Sequence, residues 1–171
     1  MKSNKIFINI ILFLGCIGIT LLFRIIPHPP NFTPVIAMCF YLPFLFGIWV
    51  LPFVIMSFAI TDYFIGFHSL LIWTWGSLVV VGILSKFSIG FKTRLFLVIA
   101  SSFTFFVVTN FGVWLTSSFY EQTLNGLFTC YVMAIPFYTN TLISTALFSG
   151  LIELFICSKI FFPNLFKIKA N

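Results

Sequence analysis

Residues 33–60 read TPVIAMCFYLPFLFGIWVLPFVIMSFAI, 28 residues without a single charge. About 20 apolar residues are enough for a helix to cross a bilayer, so this stretch fits one long tilted helix or two short ones. Pro43, Gly47 and Pro52 favour a break, because proline removes a helix hydrogen bond and glycine suits a tight turn. The distribution of charge adds weight to the break. With six helices and both ends cytoplasmic, eight of the nine Lys and Arg residues fall inside and only Arg24 falls outside. With five helices the better orientation leaves Lys2 and Lys5 outside. Positive residues gather on the cytoplasmic side of membrane proteins, so six spans are expected.

The rest of the chain agrees. It has 171 residues, 61% hydrophobic and 7% charged, whereas a soluble domain carries roughly 25% charged residues to wet its surface. The expected fold is all-α, an integral membrane bundle of about six transmembrane helices forming a single domain over residues 1–171. The helices are expected near 6–25, 34–46, 49–65, 69–85, 95–115 and 137–158. The second is short for a span and should be tilted or shielded by its neighbours. Residues 123–135 should form a partial helix lying at the outer surface or dipping in, separated from the last span by Pro136.

The net charge of +6 is not a nucleic-acid signature. Lys2, Lys5, Lys86, Lys92, Arg94, Lys159, Lys167 and Lys169 stand at or between the ends of apolar runs, where they set orientation against the lipid bilayer. The run from Ile6 to Ile26 has the length of a retained span, not of a signal core. The isolated Cys16, Cys39, Cys130 and Cys157 form no Cys-x-x-Cys pair and read as small packing residues.

Under the six-span topology the polar residues sort by side. Arg24, His28, Asn31, Asp62, His68, Asn110, Tyr120, Glu121, Asn125 and Asn140 fall on the outer loops and helix ends. Polar side chains at membrane depth are costly and usually face a bundle interior or a cavity, so a pocket open to the outside is expected. RIIPHPPNFTP, residues 24–34, has four prolines and reads as a stiff, extended loop. It could cap a cavity, or serve as a rigid connector with Arg24 snorkelling to lipid phosphate. TDYFIGFHS, residues 61–69, carries Asp62 and His68. Asp62 reads as a solvated helix-end acid, or as a partner for Arg24 or a cationic ligand group. In TNFGVW, residues 109–114, Asn110 and Trp114 are four apart and share a helix face. Trp114 offers a stacking surface, or belongs to the interfacial aromatic belt with Trp73 and Trp75. YEQTLNGLFTCYVMAIPFYTNT, residues 120–141, reads as a lid or as an ordinary surface helix.

His28, His68, Asp62 and Glu121 lack the short spacing of a metal motif, and no serine elbow, phosphate loop or nucleophile–base pair is present. No metal, no cofactor and no catalytic residue is expected.

The segments RIIPHPPNFTP, Asp62 with GFHS, TNFGVW and AIPFYTNT, in this order, resemble a family of small bacterial membrane proteins of unknown function. That family is grouped with the substrate-binding S components of energy-coupling factor (ECF) transporters. The resemblance covers roughly Arg24 to Leu154. It implies a six-helix bundle in the inner membrane, both termini cytoplasmic, with a deep outward pocket closed by the loops after helices one, three and five. It also implies partnership with a transmembrane coupling protein and two ATPase subunits. S components commonly dock through an alanine-x-x-x-alanine surface on the first helix, and this first helix contains no alanine; Gly15 and Gly18 offer a smooth patch instead.

The expected function is therefore capture of a small nutrient, such as a vitamin or its precursor, with no enzymatic activity. Arg24 would hold an anionic group. His28, Asn31, Asp62, His68, Asn110 and Asn140 would supply polar specificity, and Trp114 and Tyr120 would enclose apolar parts. The alternative is a membrane scaffold without a ligand, and a third is a membrane enzyme using His28 or His68 as acid–base group.

Overall fold

The computed structural model describes residues 2–67 and 69–157. Among them are six α-helices and no strand: α1 (Lys2–Ile25), α2 (Val35–Phe46), α3 (Leu51–Ile65), α4 (Leu71–Leu84), α5 (Phe91–Thr116) and α6 (Leu124–Cys157). Single turns of 3-10 helix, Ile48–Val50 and Ser85–Phe87, precede α3 and follow α4. The break inside residues 33–60 is real. Gly47 closes α2 at φ +97°, a left-handed conformation that costs glycine no steric penalty. Pro52 sits in the first turn of α3, where no intrahelical N–H is needed. Pro43 lies inside α2, one turn before the break.

α2 is the centre of the bundle. Nine of its twelve residues are buried, and it packs against α3, α4, α5 and α6. At roughly 1.5 Å per residue it is about 18 Å long, short for a bilayer, and its neighbours shield it. Its Phe40 and Tyr41 share one apolar core with Val50, Leu78, Val81, Val98 and Ile156. The outer helices carry their large apolar side chains outward: Ile72, Phe96, Ile99, Phe103, Ile143, Leu147 and Leu154 are all exposed. A water-facing surface would not be built this way. Among the described residues α5 and α6 are long and apolar enough to cross a membrane, which points to membrane association.

The last expected boundary is wrong. Residues 124–157 form one helix of 34 residues with Pro136 inside it, where a partial helix and a separate span were anticipated. Proline deletes one helical hydrogen bond, yet α5 grips both flanks. The Tyr131 hydroxyl donates to the Val107 carbonyl (2.8 Å), and the rings of Phe106 and Tyr138 lie 4.7 Å apart. The buried Cys130 thiol donates to the Asn110 carbonyl of α5 at 3.4 Å, while Gly126 passes the Glu121 backbone, whose carbonyl oxygen would stand 2.0 Å from a Cβ there.

α5 and α4 meet through another small residue. A Cβ on Gly112 would stand 2.2 Å from the Trp73 ring, so only glycine fits beneath that indole. His68, expected at the site, and Lys159, Lys167 and Lys169 lie outside the described residues.

Candidate functional site

A cavity of about 440 Å³ opens at the end of the bundle where α1 ends and α2 begins. Every one of the six α-helices contributes to it. Thr20 and Phe23 come from α1, Val35 and Ile36 from α2, Phe58 from α3, Thr74 from α4, Phe105, Thr109, Asn110 and Val113 from α5, and Phe137 and Thr141 from α6. The proline-rich loop adds His28, Asn31 and Thr33. The size is within the usual range for a small-molecule site.

The loop over this cavity is tightly held. Asn31 adopts φ +63°, and the Phe32 amide donates to the Pro29 carbonyl at 3.0 Å. Proline followed by a left-handed asparagine matches the central pair of a type II turn. Residues 26–34 are thus non-helical as expected, but bent and not extended, whereas Arg24 and Ile25 of the same stretch belong to α1. The two ring nitrogens of His28 face the Pro29 carbonyl (2.8 Å) and the Phe23 carbonyl. Asn140 donates its side-chain amide to the Pro30 carbonyl at 3.0 Å, fastening the loop to α6.

The chemistry of the lining follows from its own hydrogen bonds. Thr20, Thr109 and Thr141 each donate their hydroxyl to the carbonyl four residues earlier, at 2.7–2.9 Å. Asn110 likewise donates to the Phe106 carbonyl at 2.7 Å. With those hydroxyl hydrogens committed, the threonine oxygens left toward the cavity are acceptors, and Asn110 keeps its amide oxygen and one N–H. Phe23, Phe58, Phe105 and Phe137 supply apolar walls. Such a site suits a small molecule that carries N–H or O–H donors on an apolar or aromatic body.

The structure brings together three of the anticipated residues, His28, Asn31 and Asn110. Others have different places. Asp62 is buried and accepts a hydrogen bond from the Trp75 indole at 2.8 Å, joining α3 to α4. Trp114 donates to the Glu121 carbonyl at 2.9 Å and accepts from Gln122, which folds the 117–123 connection back onto α5. Asn140 holds the loop, as above. Trp114, Tyr120, Asp62 and Asn140 are not among the cavity's lining residues. Arg24 lies in the last turn of α1, and its side chain is outside the described set. The threonines were missed in sequence because single hydroxyls in apolar helices are common; Thr20, Thr109 and Thr141 gain meaning only when three helices place them around one space.

A second polar cluster was missed outright. Arg94 of α5 makes a two-pronged ion pair with Glu153 of α6, one prong from Nε and the other from Nη2 to Oε2 at 2.7 Å. The Tyr41 hydroxyl of α2 donates to the same carboxylate at 2.7 Å. The three are 4%, 6% and 1% exposed, and the guanidinium lies 4.8 Å from the Phe44 ring centroid. This cluster ties α2, α5 and α6 near the bundle end opposite the cavity. Among the described residues no group of three or more His, Cys, Asp or Glu side chains could hold a metal.

A family model described as a family of unknown function, DUF6580, matches residues 4–162. No curated protein and no solved structure matches the chain.

Proposed function

The chain belongs to the DUF6580 family, a family of unknown function, and we propose that it is a six-span protein of the cytoplasmic membrane that captures a small nutrient from outside. The observation that carries this reading is the cavity. It joins His28 and Asn31 of the proline loop to Asn110 of α5, residues that charge sidedness had already assigned to the outer face. Lys86, in the turn after α4, and Lys92, in the first turn of α5, lie at the opposite end of the bundle, and the positive-inside rule favours the cytoplasm for that end. In this topology all six helices traverse the bilayer, with the short α2 sheltered at the centre. The ligand is small and amphipathic, with N–H or O–H donors for the threonine and asparagine oxygens and an apolar part among the phenylalanines. The likeness to ECF S components supports the same role and adds a coupling protein and ATPase subunits as partners, since the chain carries no nucleotide motif of its own.

Native mass spectrometry of the detergent-purified protein tests the reading, with a Thr109→Val/Asn110→Leu variant beside it. The wild type is expected to carry a small molecule that the variant lacks. A wild type that stays empty after incubation with a panel of vitamins and their precursors would overturn capture and leave the scaffold reading.

A further inference from the structure

An open groove of about 660 Å³ lies between α3 and α4, away from the cavity. Leu51, Ile55 and Ala59 recur at four-residue intervals on α3, and Val79 and Ile83 do the same on α4, so each helix turns one stripe to the groove. Leu51 forms the floor: it is buried, and its side chain lies over Gly82, where a Cβ would stand 2.4 Å away. Above it the walls stay open, with Met56 55% and Ile83 43% exposed. Lys86, in the turn Ser85–Phe87, is the one polar residue of the lining and stands at the inner end. No acid answers it. The chain has three, Asp62, Glu121 and Glu153. Asp62 lies in the last turn of α3, and Glu121 follows α5, both at the opposite end of the bundle; Glu153 is taken by Arg94 and Tyr41.

A cation at the end of an apolar groove matches an anion joined to a hydrocarbon chain. The dimensions agree. From Leu51 to Ala59 the helix rises about 12 Å, against about 15 Å for the hydrocarbon half of a bilayer, so the groove takes an acyl chain from a single leaflet. A partner's spanning helix runs about 30 Å and would leave more than half its length outside. We propose that the groove holds one anionic phospholipid of the cytoplasmic leaflet, its headgroup paired with the Lys86 ammonium and one acyl chain laid along Ile55, Ala59, Val79 and Ile83. The inference rests on the membrane-spanning orientation above and not on capture. Basic residues beside clefts between helices at the inner surface are where anionic headgroups bind. The seated lipid braces α3 against α4, the helices that hold Phe58 and Thr74 in the cavity wall.

The full chain in detergent is titrated with phosphatidylglycerol, and separately with phosphatidylcholine of the same acyl chains, and native mass spectra count the lipid bound. The wild type is expected to hold its first phosphatidylglycerol about fivefold more tightly than phosphatidylcholine, the worth of roughly one lysine beside an anionic headgroup. Lys86→Gln should abolish that preference and Lys86→Arg should keep it. Lys92→Gln, at an exposed lysine outside the groove, should leave it intact. Ala59→Phe, and Met56→Trp at an exposed lining residue, fill the groove and should weaken both lipids alike. Equal affinity for the two lipids in the wild type would overturn the proposal, as would equal losses in Lys86→Gln and Lys92→Gln. A lipid-free dimer that either filling variant dissociates would give the groove to a second copy of the chain, and overturn it too. The same spectra keep the two readings apart. Preferential phosphatidylglycerol binding by a wild type that carries no small molecule sinks capture and leaves the groove; a captured small molecule without lipid preference does the reverse.

Discussion

At Asn31 two demands meet on one side chain. Its backbone stands at φ +63°, and the residue lines the cavity. The left-handed conformation costs most residues roughly 1–2 kcal/mol, and glycine nothing. Asn31→Gly should therefore melt close to the wild type, whereas Asn31→Ala should lose about 1 kcal/mol. A thermal melt that destabilises both equally would remove the turn from the account. Both variants should weaken ligand binding if the amide reads the ligand. The sequence showed that this loop is stiff, since four prolines allow little else. It did not show the turn, because the Asn31 dihedral is imposed by the closing bond from Phe32 to Pro29. Asp62 was conspicuous for a similar reason, as a lone acid in an apolar stretch. Its partner, the indole of Trp75, is thirteen residues away on the next helix, and nothing in the linear order singles out that ring over Trp73.

Among the elements, α6 is the one whose extent was misjudged. Pro136 looked like a boundary because the local rule is strong. The opposing signal, the contacts of Cys130, Tyr131 and Tyr138 with α5, is tertiary: it exists only with α5 alongside. The same helix also anchors the proline loop through Asn140 and the Pro30 carbonyl. Asn140→Ala should cost about 1 kcal/mol, the net worth of such a bond, and its effect should be local. Hydrogen exchange should quicken at the Phe32 and Thr33 amides, with the α5–α6 contact unchanged. Exchange that quickens throughout α6 would mean that Asn140 supports the helix and not the loop.

For the molecule as a whole, the all-α class, the six helices of the described residues and the α2–α3 break were readable from composition, charge and proline placement. The ion pair was not. Arg94 stands beside Lys92 at the start of an apolar run, where one more interfacial cation is the obvious reading, and its partner is 59 residues further on. Burial makes the pair a sensitive point. Removing one partner strands a charge, so Arg94→Met or Glu153→Leu alone should destabilise by roughly 3–5 kcal/mol. The double variant Arg94→Met/Glu153→Leu should recover most of that loss, since a matched apolar pair of similar volume replaces a buried ion pair at little cost. Thermal melts of the four proteins give the coupling, and additive losses would show that the two side chains act independently.

Because Thr141 and Glu153 share one uninterrupted helix, the gene faces an unusual restriction on length. Each residue added to a helix turns everything beyond it by about 100°. A single codon inserted between positions 142 and 152 would swing Glu153 away from Arg94 while leaving composition and hydropathy almost unchanged. Many substitutions on the exposed side of α6 can accumulate without harm, but its reading length cannot drift. Among related chains this helix should vary freely in spelling and hardly at all in residue count.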